Sequence, residues 1–144
     1  MKKHQFPLTP ETQKYVYDTF SKHAIETTGI DGFAEDPISF EIHQDDKRVG
    51  CIVVRLFWGQ LHIKYLVVNE SCRGQGIGRR LVEQACDYAK ERGCHFVFVE
   101  TLSFQAPEFY NKLGFKVDFV RHGYDKGASF YYLKRELNEP ESRS

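Results

Sequence analysis

No stretch of this chain is apolar for long enough to cross a membrane. The opening Met1-Lys2-Lys3-His4 is basic, but no apolar segment of a secretory leader follows it. There is no excess of either charge: 20 Lys and Arg balance 20 Asp and Glu, which removes the electrostatic ground for nucleic acid or an anionic membrane as partner. The four cysteines, Cys51, Cys72, Cys86 and Cys94, include no Cys-x-x-Cys pair and no companion His-x-x-x-His, so neither zinc nor any other metal is expected. Cys51 and Cys86 fall on positions that read as buried strand and helix faces. They are expected to be reduced thiols, the usage of a cytoplasmic protein.

What is present fits one globular domain. With 144 residues, 41% hydrophobic and 28% charged, the chain can bury a proper core as a single domain over 1–144, the polar stretch 138–144 being expected to fray. Thr9, Pro10 and Glu11 supply a cap, a first-turn proline and a first-turn acid, so a helix is expected from there through Tyr15, Val16, Phe20 and His23. Residues 25–36, broken by Gly29, Gly32 and Asp36-Pro37, read as a loop with room for a short second helix. Alternation over 38–43 predicts a strand. A second strand is expected over 49–58, a polar turn at 44–47 before it and a tight Gly59-Gln60 connection after it, and a third over 61–68. Ile77, Leu81, Val82, Ala85, Cys86 and Ala89 form the apolar stripe of a helix over 77–92 that Gly93 ends. Phe96-Val97-Phe98-Val99, apolar throughout, predicts a strand covered on both faces and parallel to 61–68 across the helical crossover. A short helix opens at Pro107 and closes at Gly114, and two strands over 115–121 and 130–137 come after it, joined by a hairpin loop.

The densest signal is Arg73-Gly74-Gln75-Gly76-Ile77-Gly78, at a junction from strand to helix. Glycines there let a ligand touch the backbone, and the free N–H groups of a helix start favour an anion. A Walker A loop would need Gly-x-x-x-x-Gly-Lys-Ser/Thr, which is absent. A dinucleotide fingerprint would need a third glycine where Arg79 stands. Glu100 does lie at about the 20-residue spacing of a ribose-binding acid, but the antiparallel lead-in is not that of a parallel dinucleotide fold.

The remaining pattern, Arg-x-x-Gly-x-Gly at Arg73, Gly76 and Gly78, resembles that of the GNAT superfamily of acetyl-CoA-dependent N-acetyltransferases. Phe109-Tyr110-Asn111-Lys112-Leu113-Gly114-Phe115 is similar to the family's later Phe-Tyr-x-Lys-x-Gly-Phe motif, and a helix and a strand separate the two motifs in the expected order. The resemblance is strong over 61–115 and weak before Ile38. It implies an α/β (α+β) fold: a mixed, mostly antiparallel sheet of six or seven strands with a central parallel pair and flanking helices. It implies acetyl transfer from acetyl-CoA to a primary amine in a ternary complex, a catalytically silent CoA-binding sensor or scaffold being the alternative. Family members are often dimers, which makes a homodimer an expectation.

The resemblance also implies roles for particular residues. Backbone N–H groups of Gly74, Gln75, Gly76, Ile77, Gly78 and Arg79 would hold the pyrophosphate, with charge from Arg73 and Arg79; a solvated helix face is the competing reading for Arg79. The backbone of Leu66, Val67 and Val68 would pair with the pantetheine arm. Ser103 stands where many members carry an asparagine that contacts that arm, and Lys112 would reach the 3′-phosphate. Tyr110 would donate a proton to the leaving thiolate. The general base is Glu100 or, second, His62, with a water relay as a third route. Phe57, Trp58, Phe104 and Tyr124 are candidate acceptor-pocket residues. The acceptor, a small molecule or peptide amine, has no legible motif in the 8–37 region that would shape its pocket.

Overall fold

The computed structural model describes residues 1–32 and 35–137, and the expectation of a frayed end over 138–144 lies outside them. The chain forms two compact units, Met1–Ala34 and Glu35–Ser144. The first unit carries α1 (Pro10–Thr28), which local chemistry supports. Thr9 Oγ1 accepts from the Thr12 N–H at 3.1 Å, Pro10 occupies the first turn, and Lys14–Asp18 and Lys22–Glu26 pair one turn apart. The helix runs past Ile25, where a loop was expected. It stops at Gly29, whose left-handed φ of 84° lets its N–H reach the Ile25 carbonyl at 2.9 Å. The expected apolar stripe is exposed at Tyr15, Val16 and Phe20, and Ala24 alone is buried along α1.

The second unit is built on β1 (Ile38–Gln44), β2 (Lys47–Phe57), β3 (Gln60–Val68), α2 (Ile77–Glu91), β4 (Phe96–Leu102), α3 (Pro107–Lys112), β5 (Lys116–Arg121) and β6 (Phe130–Glu136). Its sheet has six strands in the order β1-β2-β3-β4-β6-β5, antiparallel except for the β3/β4 pair, which is the mixed sheet that the sequence implies. The β1–β2 turn falls on Asp45-Asp46, inside the predicted 44–47. The β2–β3 turn is Trp58-Gly59, one residue earlier than the Gly59-Gln60 expected, because Phe57 pairs with Gln60. Both turn residues have positive φ, 50° at Trp58 and 79° at Gly59, which is the primed geometry that matches strand twist.

The core lies on one face of this sheet. Leu81, Val82, Ala85, Cys86 and Ala89 of α2 are fully buried against Ile52, Val54, Leu61, Ile63 and Val97. Gly50 lets α2 approach closely: a Cβ there would stand 3.0 Å from Ile77 Cγ2 and 3.1 Å from the Val67 carbonyl. Tyr110 of α3 and Phe115 join the same cluster, so both helices of the unit serve one face. On β4 this corrects the expectation of cover on both faces. Val97, Val99 and Thr101 are buried toward α2, whereas Phe96, Phe98 and Glu100 on the opposite face are only half-buried. All four cysteines are free thiols. Cys86 and Cys94 are buried, and Cys51, expected inside, is half-buried because strand alternation turns it away from α2.

Two irregularities of β3 interrupt the middle of the sheet. Ile63 pairs with Val54 but Tyr65 pairs with Val53, so Lys64 is an extra residue, a bulge. The β3/β4 ladder covers only Leu61, His62 and Ile63. From Lys64 to Val68, the β3 edge that faces β4 therefore has no strand partner among the described residues, and the sheet opens there.

Candidate active site

The opened end of β3, the glycine loop, the start of α2 and the segment entering α3 enclose a cleft of about 790 Å³. Gly74 and Gly76 hold left-handed φ values of 83° and 79°, which favour glycine. Gly76 is the N-cap of α2 and has no side chain to cap it. The first intrahelical bond of α2 runs from the Arg80 N–H to the Gly76 carbonyl at 3.0 Å. The N–H groups of Ile77, Gly78 and Arg79 precede it and stay open at the positive end of the helix dipole. Gly78 is in the helical region and is small for packing: a Cβ would meet Phe109 Cζ at 3.2 Å and Val68 Cγ2 at 3.6 Å.

Nine of the residues expected to hold the cofactor line this cleft: Leu66, Val67, Val68, Arg73, Gly74, Gly76, Ile77, Gly78 and Arg79. Gln75 does not; its Oε1 accepts from Gln44 Nε2 at 3.4 Å. Ser103 and Lys112 line an adjoining cleft of about 680 Å³ with Asn111 and Tyr131, which shares Gln105, Ala106 and Phe109 with the first. The Ser103 hydroxyl accepts from the Ser129 N–H at 3.0 Å while its own N–H donates to the Ser129 carbonyl at 2.8 Å. Ser103 thus ties the loop after β4 to the entrance of β6. Three lining residues were given no role in the sequence reading: Gln105, Ala106 and Phe109. Phe109 was legible in the Phe-Tyr motif, but the motif draws attention to its tyrosine. Cys72, beside the loop, also lines the cleft and is half-buried.

The two candidates for the base, 38 residues apart in sequence, form one pair: His62 Nε2 lies 3.0 Å from Glu100 Oε1. A carboxylate only accepts, so Nε2 carries the proton, and in the neutral imidazole Nδ1 is the nitrogen with the lone pair. Parallel pairing of His62 with Phe98 brings the strands together, and the His62 ring stacks on Phe98 at 4.6 Å and 7°. Both side chains are largely shielded, 17% and 29% exposed. They sit on the sheet face opposite α2, where the β3/β4 ladder ends.

Tyr110 is 4% exposed, packed edge-on between Phe109 and Phe115 at 5.1 and 5.3 Å, and is not among the cleft-lining residues. Burial pushes its phenol up to about 12, so it stays protonated across the physiological range. Phe104 lines the cleft and is well exposed, whereas Phe57, Trp58 and Tyr124 are elsewhere on the surface of the unit.

The chain was compared with known proteins. The sequence profile of the Acetyltransferase (GNAT) family matches residues 4–115. Blasticidin-S acetyltransferase of Streptomyces morookaense is 37% identical over 89 residues, covering 61% of this chain and 65% of that protein. The match thus spans just under two thirds of that relative's length. Acetyltransferase Atu2258 of Agrobacterium fabrum is 34% identical over 101 residues, 69% of this chain and 74% of that protein. Among solved structures, an acetyltransferase from Bacillus cereus superposes with a TM-score of 0.79 at 29% identity, covering 94% of this chain and 98% of that one.

Proposed function

Because the chain belongs to the acetyltransferase (GNAT) family, we propose that it moves an acetyl group from acetyl-CoA to a primary amine by direct attack in a ternary complex. One observation carries the reading. The uncapped start of α2 and the unpartnered edge of β3 border the same cleft. CoA presents a pyrophosphate and an amide-bearing arm, and these two features are the matching partners. The open N–H groups of Ile77, Gly78 and Arg79 suit the pyrophosphate, with Arg73 and Arg79 adding charge at its rim. The free edge of Leu66, Val67 and Val68 suits the amides of the arm, which can extend the sheet as a strand would.

An arm laid along that edge from the α2 side points its thioester at the gap beside Lys64, where His62 and Glu100 stand on the other face. In this reading His62, held by Glu100, takes a proton from the acceptor ammonium at Nδ1. The free amine attacks the thioester carbonyl, a C–N bond forms, and the oxyanion is held by a backbone N–H of β3. Collapse breaks the C–S bond, the electron pair leaves on sulfur, and the proton still on the nitrogen passes to the departing thiolate, so that the neutral amide and the CoA thiol result. Tyr110 donates a hydrogen bond to the departing thiolate. A phenol near about 12 is a poor proton source for a thiol of ordinary acidity, so its contribution is the hydrogen bond more than full proton transfer.

The test is an amine panel with acetyl-CoA, read by thiol release and by the mass of the product. Release that needs both substrates, with intersecting initial-rate lines, is the expected result. Parallel lines with an acetylated protein would replace direct attack by an acyl-enzyme, for which Cys72 is the thiol to examine. Tight CoA binding without turnover on any amine would leave a CoA-binding sensor or scaffold instead.

A further inference from the structure

The sheet face that carries His62 and Glu100 holds cations that the transfer chemistry does not use. Arg55 of β2 is the direct cross-strand neighbour of His62. It lies on the same face, its guanidinium carbon 5.9 Å from the centre of the Phe57 ring. Among the described residues it has no carboxylate within ion-pair distance. Its Nε is shielded from water and makes no hydrogen bond. An always-charged fork held among strands with no carboxylate beside it is costly in the free protein, and an oxyanion at its outer nitrogens compensates that charge. Lys64, the bulge residue of the neighbouring strand, adds a further cation. The one carboxylate beside His62, Glu100, is already engaged.

We propose that the acceptor is a small primary amine that also carries an oxyanion, a carboxylate or a phosphate, which Arg55 seats so that the amine meets His62. This rests on the transferase reading above. Directly opposed residues place their Cβ atoms about 5 Å apart, so the amine and the oxyanion of the acceptor are separated by only a few bonds. Phe57 and Phe98, on the same face as Arg55 and His62, give the rest of the acceptor a flat apolar floor. Arg55 reads charge and shape together: its planar fork donates two parallel hydrogen bonds to a pair of oxygens, a geometry an ammonium lacks.

The experiment compares phenylalanine, phenylalaninamide and 2-aminoethyl phosphate as acceptors for the wild-type protein, Arg55→Met and Arg55→Lys. Methionine keeps a stem that covers Phe57 but has no charge, and lysine keeps the charge without the fork. Kinetics are paired with calorimetric binding of each amine to the CoA-loaded protein. The expected result is that at least one oxyanion-bearing amine is preferred over the amide by about tenfold or more in kcat/KM. That preference collapses to near unity in Arg55→Met, is partly kept in Arg55→Lys, and the affinity for CoA does not move. Which of the two anions is preferred separates a carboxylate from a phosphate acceptor. Equal use of acid and amide by the wild type, or a preference that survives in Arg55→Met, overturns the proposal while leaving the transferase intact. Absence of turnover on every amine sinks the transferase reading, and in that case the calorimetry decides: no Arg55-dependent binding of either anion overturns the anion site as well.

Discussion

Gly78 offers the sharpest test of the cleft as the cofactor site, because its replacement separates binding from folding. It lies in the first turn of α2 with an ordinary helical backbone, so any side chain can be accepted conformationally. Alanine there would gain up to about 1 kcal/mol of helix propensity, less at a terminus. Against this, its Cβ would stand 3.2 Å from Phe109 Cζ and 3.5 Å from Cε1, inside the roughly 3.5–4.0 Å of an optimal carbon contact. Overpacking costs about 1–3 kcal/mol in a rigid core, but Phe109 is only partly buried and can yield by a few tenths of an ångström. The two terms nearly cancel, and Gly78→Ala is expected to melt close to wild type. Phe109 and Val68, the residues that would yield, both line the cleft, and they yield into it. Gly78→Val adds two carbons in the same direction and is expected to weaken CoA binding by about tenfold or more, roughly 1.4 kcal/mol or above. Calorimetric titration with CoA reads the effect, with thermal melting in parallel. Phe109→Leu in the Gly78→Val background should recover part of the loss. A folded Gly78→Val protein that binds CoA as tightly as wild type would refute the placement of the cofactor against this turn.

The same geometry sets three further outcomes. Gly50→Ala should destabilise the fold by about 1–3 kcal/mol in denaturant titration, because the added Cβ meets the Val67 carbonyl at 3.1 Å, a backbone atom that cannot rotate away; unchanged stability would show that α2 does not pack so closely. Glu100→Gln and His62→Gln should each lower kcat/KM for the amine by about 10², and the double variant should be little worse than the worse single one, whereas simple additivity would show that the pair does not act as a unit. Tyr110→Phe should lower kcat by about tenfold with little change in KM for acetyl-CoA, and an unchanged kcat at every pH would remove Tyr110 from the chemistry. The same variant tests its burial: a folded-state phenol raised from 10.0 to about 12 contributes stability that is complete below pH 10 and lost as pH rises toward 12, on the order of 2–3 kcal/mol. Cys86, raised from 9.0 to about 11 by burial, adds a loss in the same direction between pH 9 and 11, so alkaline melting curves of Tyr110→Phe should flatten only in the upper part of the range.

Where local pattern decides structure, the sequence was legible. The α2 stripe, the alternation of β1 and the glycine loop each rest on neighbours within a few residues, and the structure bears them out nearly to the residue. The misreadings are of another kind. The β2–β3 turn slipped by one because Trp58 takes a positive φ, a conformation that a bulky residue rarely adopts and that composition therefore argues against. The loop expected from Ile25 rests on Gly29, Gly32 and Asp36-Pro37, yet Gly29 acts as the cap of α1, so the helix continues to Thr28 before it. Cover on both faces of β4 was inferred from hydrophobicity alone, yet Phe96 and Phe98 stay half-buried beside stacked rings and cations.

The candidate site was half legible for a related reason. The side proposed for the cofactor is a contiguous loop and helix start, so motif and geometry coincide. Its acceptor side exists only through register. One bulged residue, Lys64, changes which residues of β3 face α2: Leu61 and Ile63 before it, Leu66 and Val68 after it. The same bulge ends the pairing with β4, so the gap that opens toward the cleft on one face opens beside His62 and Glu100 on the other. No local signal marks Lys64 as extra, and none shows which residue of β4 the parallel pairing sets beside His62. In the proposed mechanism a single inserted residue thus accounts for both a free edge for the donor and a separate approach for the acceptor. That division suits direct transfer, since the amine can reach the thioester carbonyl from the face opposite the donor.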